Sequence, residues 1–377
     1  VPRALGMFED LYELVVAVEV DRSERALEIA GGLATAASMA GDLEGAVARA
    51  EENLARAAEI FGSDSAPASA ARAHLLGCVE AAGDWNRAVT VGRASVERLD
   101  AEHGADDPRT LRARIRVADL VSFLGEYEEA LGLAQAIVSD AERTFGAESE
   151  VTILARLSVA RIHLDSRDDR AGLAELDALI PVASAAIGED HPMALVIRND
   201  RVVCLRRLGR LDEALSEAED VLARHLSDPR WRETAIAESY DRIAAIHLDA
   251  RNYDAAAAAM QSAIRFGEVA FGPEHPRMAD ILFNYGELLI NQGDLTGAEA
   301  NYRRLIELDS KLRGPEHPYV VSERHNLART VSLRGRNEEA LGMLEELLEM
   351  EDRVGLASER MGIATNIEAM RVLADHG

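Results

Sequence analysis

From His275 to Leu312 the apolar residues fall into two sets. Ile281, Leu282, Tyr285, Leu288 and Leu289 make the first, and Ala298, Tyr302, Leu305, Ile306 and Leu308 the second. Each set recurs at the three-and-four spacing of one helix face. His275-Pro276 opens the first set, where a proline's missing N–H would be unpaired anyway. Gly293 stands between the sets, a residue that tolerates the left-handed backbone of a helix end. Gly314-Pro315 closes the second. The stretch predicts two antiparallel helices joined by a tight turn.

The pattern returns every 42 residues. Gly41, Gly83, Gly125, Gly209, Gly293 and Gly335 mark the inner turn, with Arg167 and Arg251 in the same slot of two further units. Five residues later stands a small residue: Ala46, Ala88, Ala130, Ala214, Ala298 and Ala340. Helices approach closely only where side chains are short, so these positions mark the seam of each pair. Pro108, Pro192, Pro276 and Pro318 share one phase, and Gly62, Gly104, Gly146, Gly188, Gly272 and Gly314 another. An unbroken period of this size predicts an all-α solenoid whose units pack only on their neighbours. One array is expected over 1–377, with eight helix pairs in 24–355. Residues 1–20 read as the second helix of a truncated unit, and 358–377 as the first helix of another. These staggered ends, and the lack of an initiator Met, are those expected of a piece of a longer protein.

The small residues of the first helix (Ala34, Ala118, Ala160, Ala244, Gly286, Ala328), the turn glycine and the alanine of the second helix together resemble the tetratricopeptide repeat. The 42-residue form found in kinesin light chain is the nearer likeness. Its Leu-Gly-Pro-x-His-Pro unit is echoed by Phe271–Pro276 and Arg313–Pro318. The resemblance runs over essentially the whole chain. It implies a right-handed superhelical solenoid whose first helices line a concave groove that holds a protein or peptide segment. Long arrays of this kind in high-GC bacteria accompany a switch, protease or regulatory domain, so a sensor or scaffold part of a larger signalling protein is expected. Flanking domains of the same polypeptide are then possible partners. The alternative is a structural solenoid that self-assembles through uncapped ends.

The groove position of the first helix reads Gly32, His74, Arg116, Ser158, Asp200, Arg242, Asn284, Asn326 and Glu368 down the chain. Asn284 and Asn326 lie one period apart. Each amide has a donor and an acceptor, so the pair can bind the backbone of an extended peptide, bridge neighbouring helices, or face water. Arg161, Asn199, Asp241, Glu287, Asn291, His325 and Arg329 share that face and mix both signs. The carboxylate clamp of chaperone-binding relatives is not matched, since Phe283 and Glu287 stand where a basic residue and an Asn are needed.

Charge narrows the partners. Lys and Arg number 41 against 67 Asp and Glu, a net charge of −26. That excess repels phosphate backbones, so direct nucleic-acid binding is not expected. Lys311 is the sole lysine; arginine bias with abundant alanine fits high-GC coding. No apolar run is long enough to span a membrane and no leader is seen, so a cytoplasmic setting is expected. Cys78 and Cys204 lie three repeats apart, which speaks against a disulfide, a metal site or a redox pair.

No enzymatic constellation or cofactor motif is found. Ile162-His163-Leu164-Asp165 and Ile246-His247-Leu248-Asp249 recur in phase, as scaffold does. His191, His275 and His317 precede helix-starting prolines and read as turn residues. Three departures stand out. Gly172 replaces the seam alanine, predicting a looser hairpin. Trp231 lies in an irregular loop, either covering the core or anchoring a partner. Arg198, Arg201 and Arg206, with Arg207 and Arg210, make one repeat basic. They either pair with nearby acids or contact an anion, for which forked guanidinium donors are suited.

Overall fold

A computed structural model describes residues 23–39, 42–228 and 232–353. The expectations for the opening half-unit, for Gly41, for Trp231, and for the closing helix with Glu368 lie outside them. Among the described residues every regular element is an α-helix. The first helices of the pairs are α1 (Glu24–Met39), α3 (Ala66–Ala81), α5 (Pro108–Phe123), α7 (Glu150–Asp165), α9 (Pro192–Arg207), α11 (Glu233–Asp249), α13 (Pro276–Gln292) and α15 (Pro318–Leu333). The second helices are α2 (Leu43–Phe61), α4 (Trp85–His103), α6 (Tyr127–Phe145), α8 (Asp169–Ile187), α10 (Leu211–Ser227), α12 (Tyr253–Phe271), α14 (Leu295–Arg313) and α16 (Asn337–Arg353). The chain divides into two compact units, 1–208 and 209–377.

The seam alanines do what their size requires. Ala46, Ala88, Ala130, Ala214, Ala298 and Ala340 are fully buried, as are Ala34, Ala118, Ala160 and Ala328 on the facing helices. Gly286 takes that slot in α13 because the buried Tyr302 ring already fills it. A Cβ on Gly286 would stand 2.6 Å from Tyr302 Cζ. Gly172 departs from the expectation of a looser hairpin. A Cβ there would meet Leu164 Cδ1 at 2.8 Å and the Ala160 carbonyl at 3.3 Å. The missing methyl lets α8 lie closer on α7 rather than leaving a gap.

The two turns of each repeat use different backbone. After a first helix the turn residue is left-handed, with φ 81° at Gly125 and 85° at Gly293. Arg167 at 65° and Arg251 at 56° take the same conformation without glycine's freedom. After a second helix the glycine goes further, to φ 99° and ψ 152° at Gly314, a region essentially closed to side chains. The next helix is then capped from its N-terminus. Asp42, Ser65, Asp84, Ser149 and Asp294 each accept a backbone N–H three residues on, satisfying a donor the helix leaves unpaired. His191, His275 and His317 serve as N-caps too. Their Nδ1 atoms accept from the N–H of Met193, Arg277 and Tyr319, at 3.2 Å each.

Both cysteines are free and buried. Burial pushes the Cys78 thiol up and takes Cys204 to about 12. No described helix is long and apolar enough to cross a membrane.

Candidate functional site

Within each unit, the face carried by the first helices is laced by pairs that tie neighbouring first helices together. In the unit of residues 1–208, Thr35 meets His74 Nδ1 at 3.2 Å between α1 and α3. Arg116 donates to Glu80 at 2.8 Å between α3 and α5. Ser158 donates to Asp119, a carboxyl raised chiefly by burial, between α5 and α7. Arg161 donates to Asp200 at 2.7 Å between α7 and α9. Arg161, Ser158, Asp200 and Arg116 therefore hold the stack together, and Asn199 is only 9% exposed.

The basic repeat is matched by the preceding one. Arg201 Nε donates to Asp177 at 2.6 Å, and Arg207 donates to the Leu164 carbonyl at 3.0 Å and to Asp169 at 3.2 Å. Arg198 and Arg206 are engaged as well. The pairing alternative accounts for Arg201, whose guanidinium has its carboxylate already.

In the unit of residues 209–377 the predicted residues separate. Glu287 is a junction: Tyr302 Oη donates to it at 2.7 Å, and Arg329 reaches it from α15 at 3.5 Å. Arg242 donates to its own helix at the Glu238 carbonyl, 3.3 Å away, and Asn291 to that of Glu287 at 2.9 Å. His325 is half-buried, with Nε2 lacking a hydrogen-bond partner. The two asparagines are not equivalent. Asn284 is exposed, whereas Asn326 is 8% exposed. A ladder of two open amides is therefore not formed, because the Asn326 side chain lies inside the packing between helices.

Asn284 instead borders a cleft of ≈ 420 Å³ between α13 and α15, floored by the last turn of α14. Asp280 and Phe283 come from α13, Asp309 and Arg313 from α14, and Tyr319 and Glu323 from α15. Arg313 Nε donates to Asp309 at 3.2 Å, and its guanidinium lies 4.7 Å from the Tyr319 ring centre. Asp309 is 1% exposed and Glu323 3%. Burial and a hydrogen bond with Asp309 lift the Glu323 carboxyl to about 8. Desolvation also raises Asp280. Sequence reasoning missed Asp309 and Glu323 because they sit in phases of the repeat that pack inward. The signal was two acids in slots where several other repeats carry Ala, Gly or Ile, such as Ala141 with Ala155 and Gly267 with Ile281.

Chemically the cleft offers carboxyl acceptors, two aromatic rings, one amide and the Arg313 guanidinium, which is engaged with Asp309. Among the described residues no group of His, Cys, Asp and Glu could hold a metal ion.

A model of the tetratricopeptide repeat matches residues 233–309 and 277–351. A search of curated proteins finds no sequence match. Among solved structures, the chain is similar to a signal-transduction ATPase with numerous domains and a tetratricopeptide-repeat sensor, from Pyrococcus horikoshii. The match has 12% identity and a TM-score of 0.58, covering 96% of this chain and 55% of that one. The chain thus spans about half of the Pyrococcus protein. BtubC (BKLC) from P. vanneervenii aligns at 17% identity and TM-score 0.49, over 60% of this chain and 91% of its own. A Rap protein complexed with competence and sporulation factor aligns at 10% identity and TM-score 0.49, over 93% and 98%. Identities of this size concern the fold alone. The described helices form an all-α repeat solenoid, and the tetratricopeptide-repeat model matches its stretch 233–351.

Proposed function

We propose that the chain is a protein-binding repeat module that holds an extended segment along the face of its first helices, with Asn284 and the adjoining cleft as the point of engagement. One observation carries this reading. Most groove positions with resolved pairs are spent on tying helices together, while Asn284 is exposed at the mouth of a cleft of ≈ 420 Å³ lined by polar and aromatic side chains. An exposed amide beside a concave pocket offers a peptide backbone both a donor and an acceptor. A role as sensor or scaffold within a larger regulator follows if the bound segment changes how neighbouring repeats pack. The Pyrococcus protein, described as carrying a tetratricopeptide-repeat sensor, is consistent with that role.

The test is site-directed photo-crosslinking. A photoreactive residue at position 284 and another at exposed Ala300 on the second-helix face are compared in lysate of the source organism, with cross-linked segments mapped by mass spectrometry. One recurring peptide at 284, absent at 300 and weakened about tenfold in competition by Asn284→Ala protein, supports the reading. Equal cross-linking at both positions moves the binding surface away from the first helices.

A further inference from the structure

The acids of the cleft occupy core positions of the repeat. At the phase of Asp309, where a second helix ends against the next first helix, other repeats carry Ala57, Ala141, Ala183 and Gly267, all buried. At the phase of Glu323 they carry Ala71, Ala155, Ile197 and Ile281. The same contact two repeats earlier is His225 with Ser239, a neutral pair hydrogen-bonded at 2.8 Å. The equivalent cleft between α1 and α3, of ≈ 220 Å³, keeps an acid, Glu28, at the phase of Asp280 but has Ala71 at the phase of Glu323. Several repeats therefore fold without these carboxyls; Glu351 recurs at the phase of Asp309, but the combination of Asp309 with Glu323 occurs at this cleft alone.

Their partners are also unequal in number. Arg313 answers Asp309 and rests over Tyr319. Glu323 donates its proton to Asp309 through one oxygen, while Oε2 is buried with no hydrogen-bond partner. Asp280 faces the same space from α13. Asp309 and Glu323 thus share one guanidinium, that of Arg313, while Asp280 lies in the field of both Arg313 and Arg277. The other groups near Glu323 are the Tyr302 hydroxyl from α14 and, from α16, the apolar Leu347 and Met350 packed on Val321. A buried acceptor left open is costly unless a donor arrives, and a buried carboxyl lacking a cation holds its proton instead.

We propose that this cleft receives a cationic side chain, the guanidinium or ammonium of an arginine or lysine, from the segment held along the first-helix face. The inference rests on the peptide-binding reading above. The cation lies between Glu323 Oε2 and Asp280, with Phe283 and Tyr319 offering ring faces that attract positive charge. On entry it displaces the Glu323 proton to solvent, so the neutral carboxylic acid and the incoming cation become an ion pair and one proton is released. Anionic ligands are repelled by the same acids, and no metal geometry exists among the described residues.

The experiment is titration calorimetry of the whole chain at pH 7, in two buffers of different ionisation heat. The probes are capped pentapeptides of alanine with arginine, lysine or citrulline at the centre, and free n-butylguanidinium. Citrulline keeps arginine's shape and removes its charge. Expected are binding of the arginine and lysine peptides at least about tenfold tighter than citrulline, release of roughly one proton per peptide, and loss of both effects in Glu323→Gln. Asn284→Ala should weaken charged and neutral peptides alike. Circular dichroism melting confirms that each variant is folded, and Asp280→Asn provides a second variant at an exposed position. Equal binding of arginine and citrulline peptides, or indifference to Glu323→Gln, overturns the cation inference while leaving the groove reading intact. Butylguanidinium binding that depends on Glu323, with no peptide bound, upholds the cleft and overturns the peptide reading. No binding by any probe overturns the inference.

Discussion

Arg167 and Arg251 hold left-handed backbone at positions where the other described repeats use glycine. The strain comes from Cβ against the following carbonyl and costs about 1–2 kcal/mol for an ordinary residue. Arg167→Gly should therefore raise stability to urea by about 1 kcal/mol, less the added freedom of the unfolded chain. The control Arg170→Gly, inside α8, should lower it by about 1 kcal/mol. A drop in both variants would mean that the Arg167 side chain contributes more than its backbone costs. Gly286 shows the opposite situation at residue scale: it is glycine because the Tyr302 ring occupies the volume of its missing methyl.

At the scale of the helix, the His275 cap makes the repeat opened by α13 sensitive to acid. The neutral His275 Nδ1 accepts the N–H that α13 leaves open; a protonated ring carries a hydrogen there and cannot. Burial holds His275 below its ordinary value. The folded state thus binds its proton less readily than the unfolded chain, and the cap's contribution is present at neutral pH and lost as pH falls below about 6.5. His275→Ala should cost about 1 kcal/mol at pH 7.5 and much less at pH 5, read as the change in Tm at each pH. A constant penalty at both values would show that packing, not the cap, is lost. The sequence already showed the capping histidines before helix-starting prolines, so their place was legible. Their role was not, because capping depends on a side-chain rotamer that spacing does not specify. The repeat itself was legible through Ala298, Gly293 and their counterparts, where one size or one conformation is tolerated. The groove was less so. Asn284 and Asn326 share a phase, yet one is open and the other enclosed, since the neighbouring side chains differ from repeat to repeat. Asp309 and Glu323 were overlooked for a related reason: attention to the face of the helix misses acids placed in its seam.

For the whole molecule the net charge of −26 sets a field that any partner meets before contact. It attracts basic segments at long range and is screened over a Debye length of about 8 Å in physiological salt. Association of the arginine pentapeptide should slow several-fold, about 3–10 times, between 50 and 300 mM sodium chloride, with dissociation changing far less. Stopped-flow fluorescence reads both; an unchanged association rate would mean that only the local acids matter. The two buried thiols give this protein one more property. Ionisation is suppressed at both Cys78 and Cys204, and the thiolate is the reactive form, so neither reacts readily with a maleimide. The wild-type chain is in effect a blank slate for dyes. Cysteines placed at exposed Pro273 and Pro315, one repeat apart beside the cleft, can be labelled without first removing the native pair, and the separation of those dyes reports directly whether a guest bends the repeats around it.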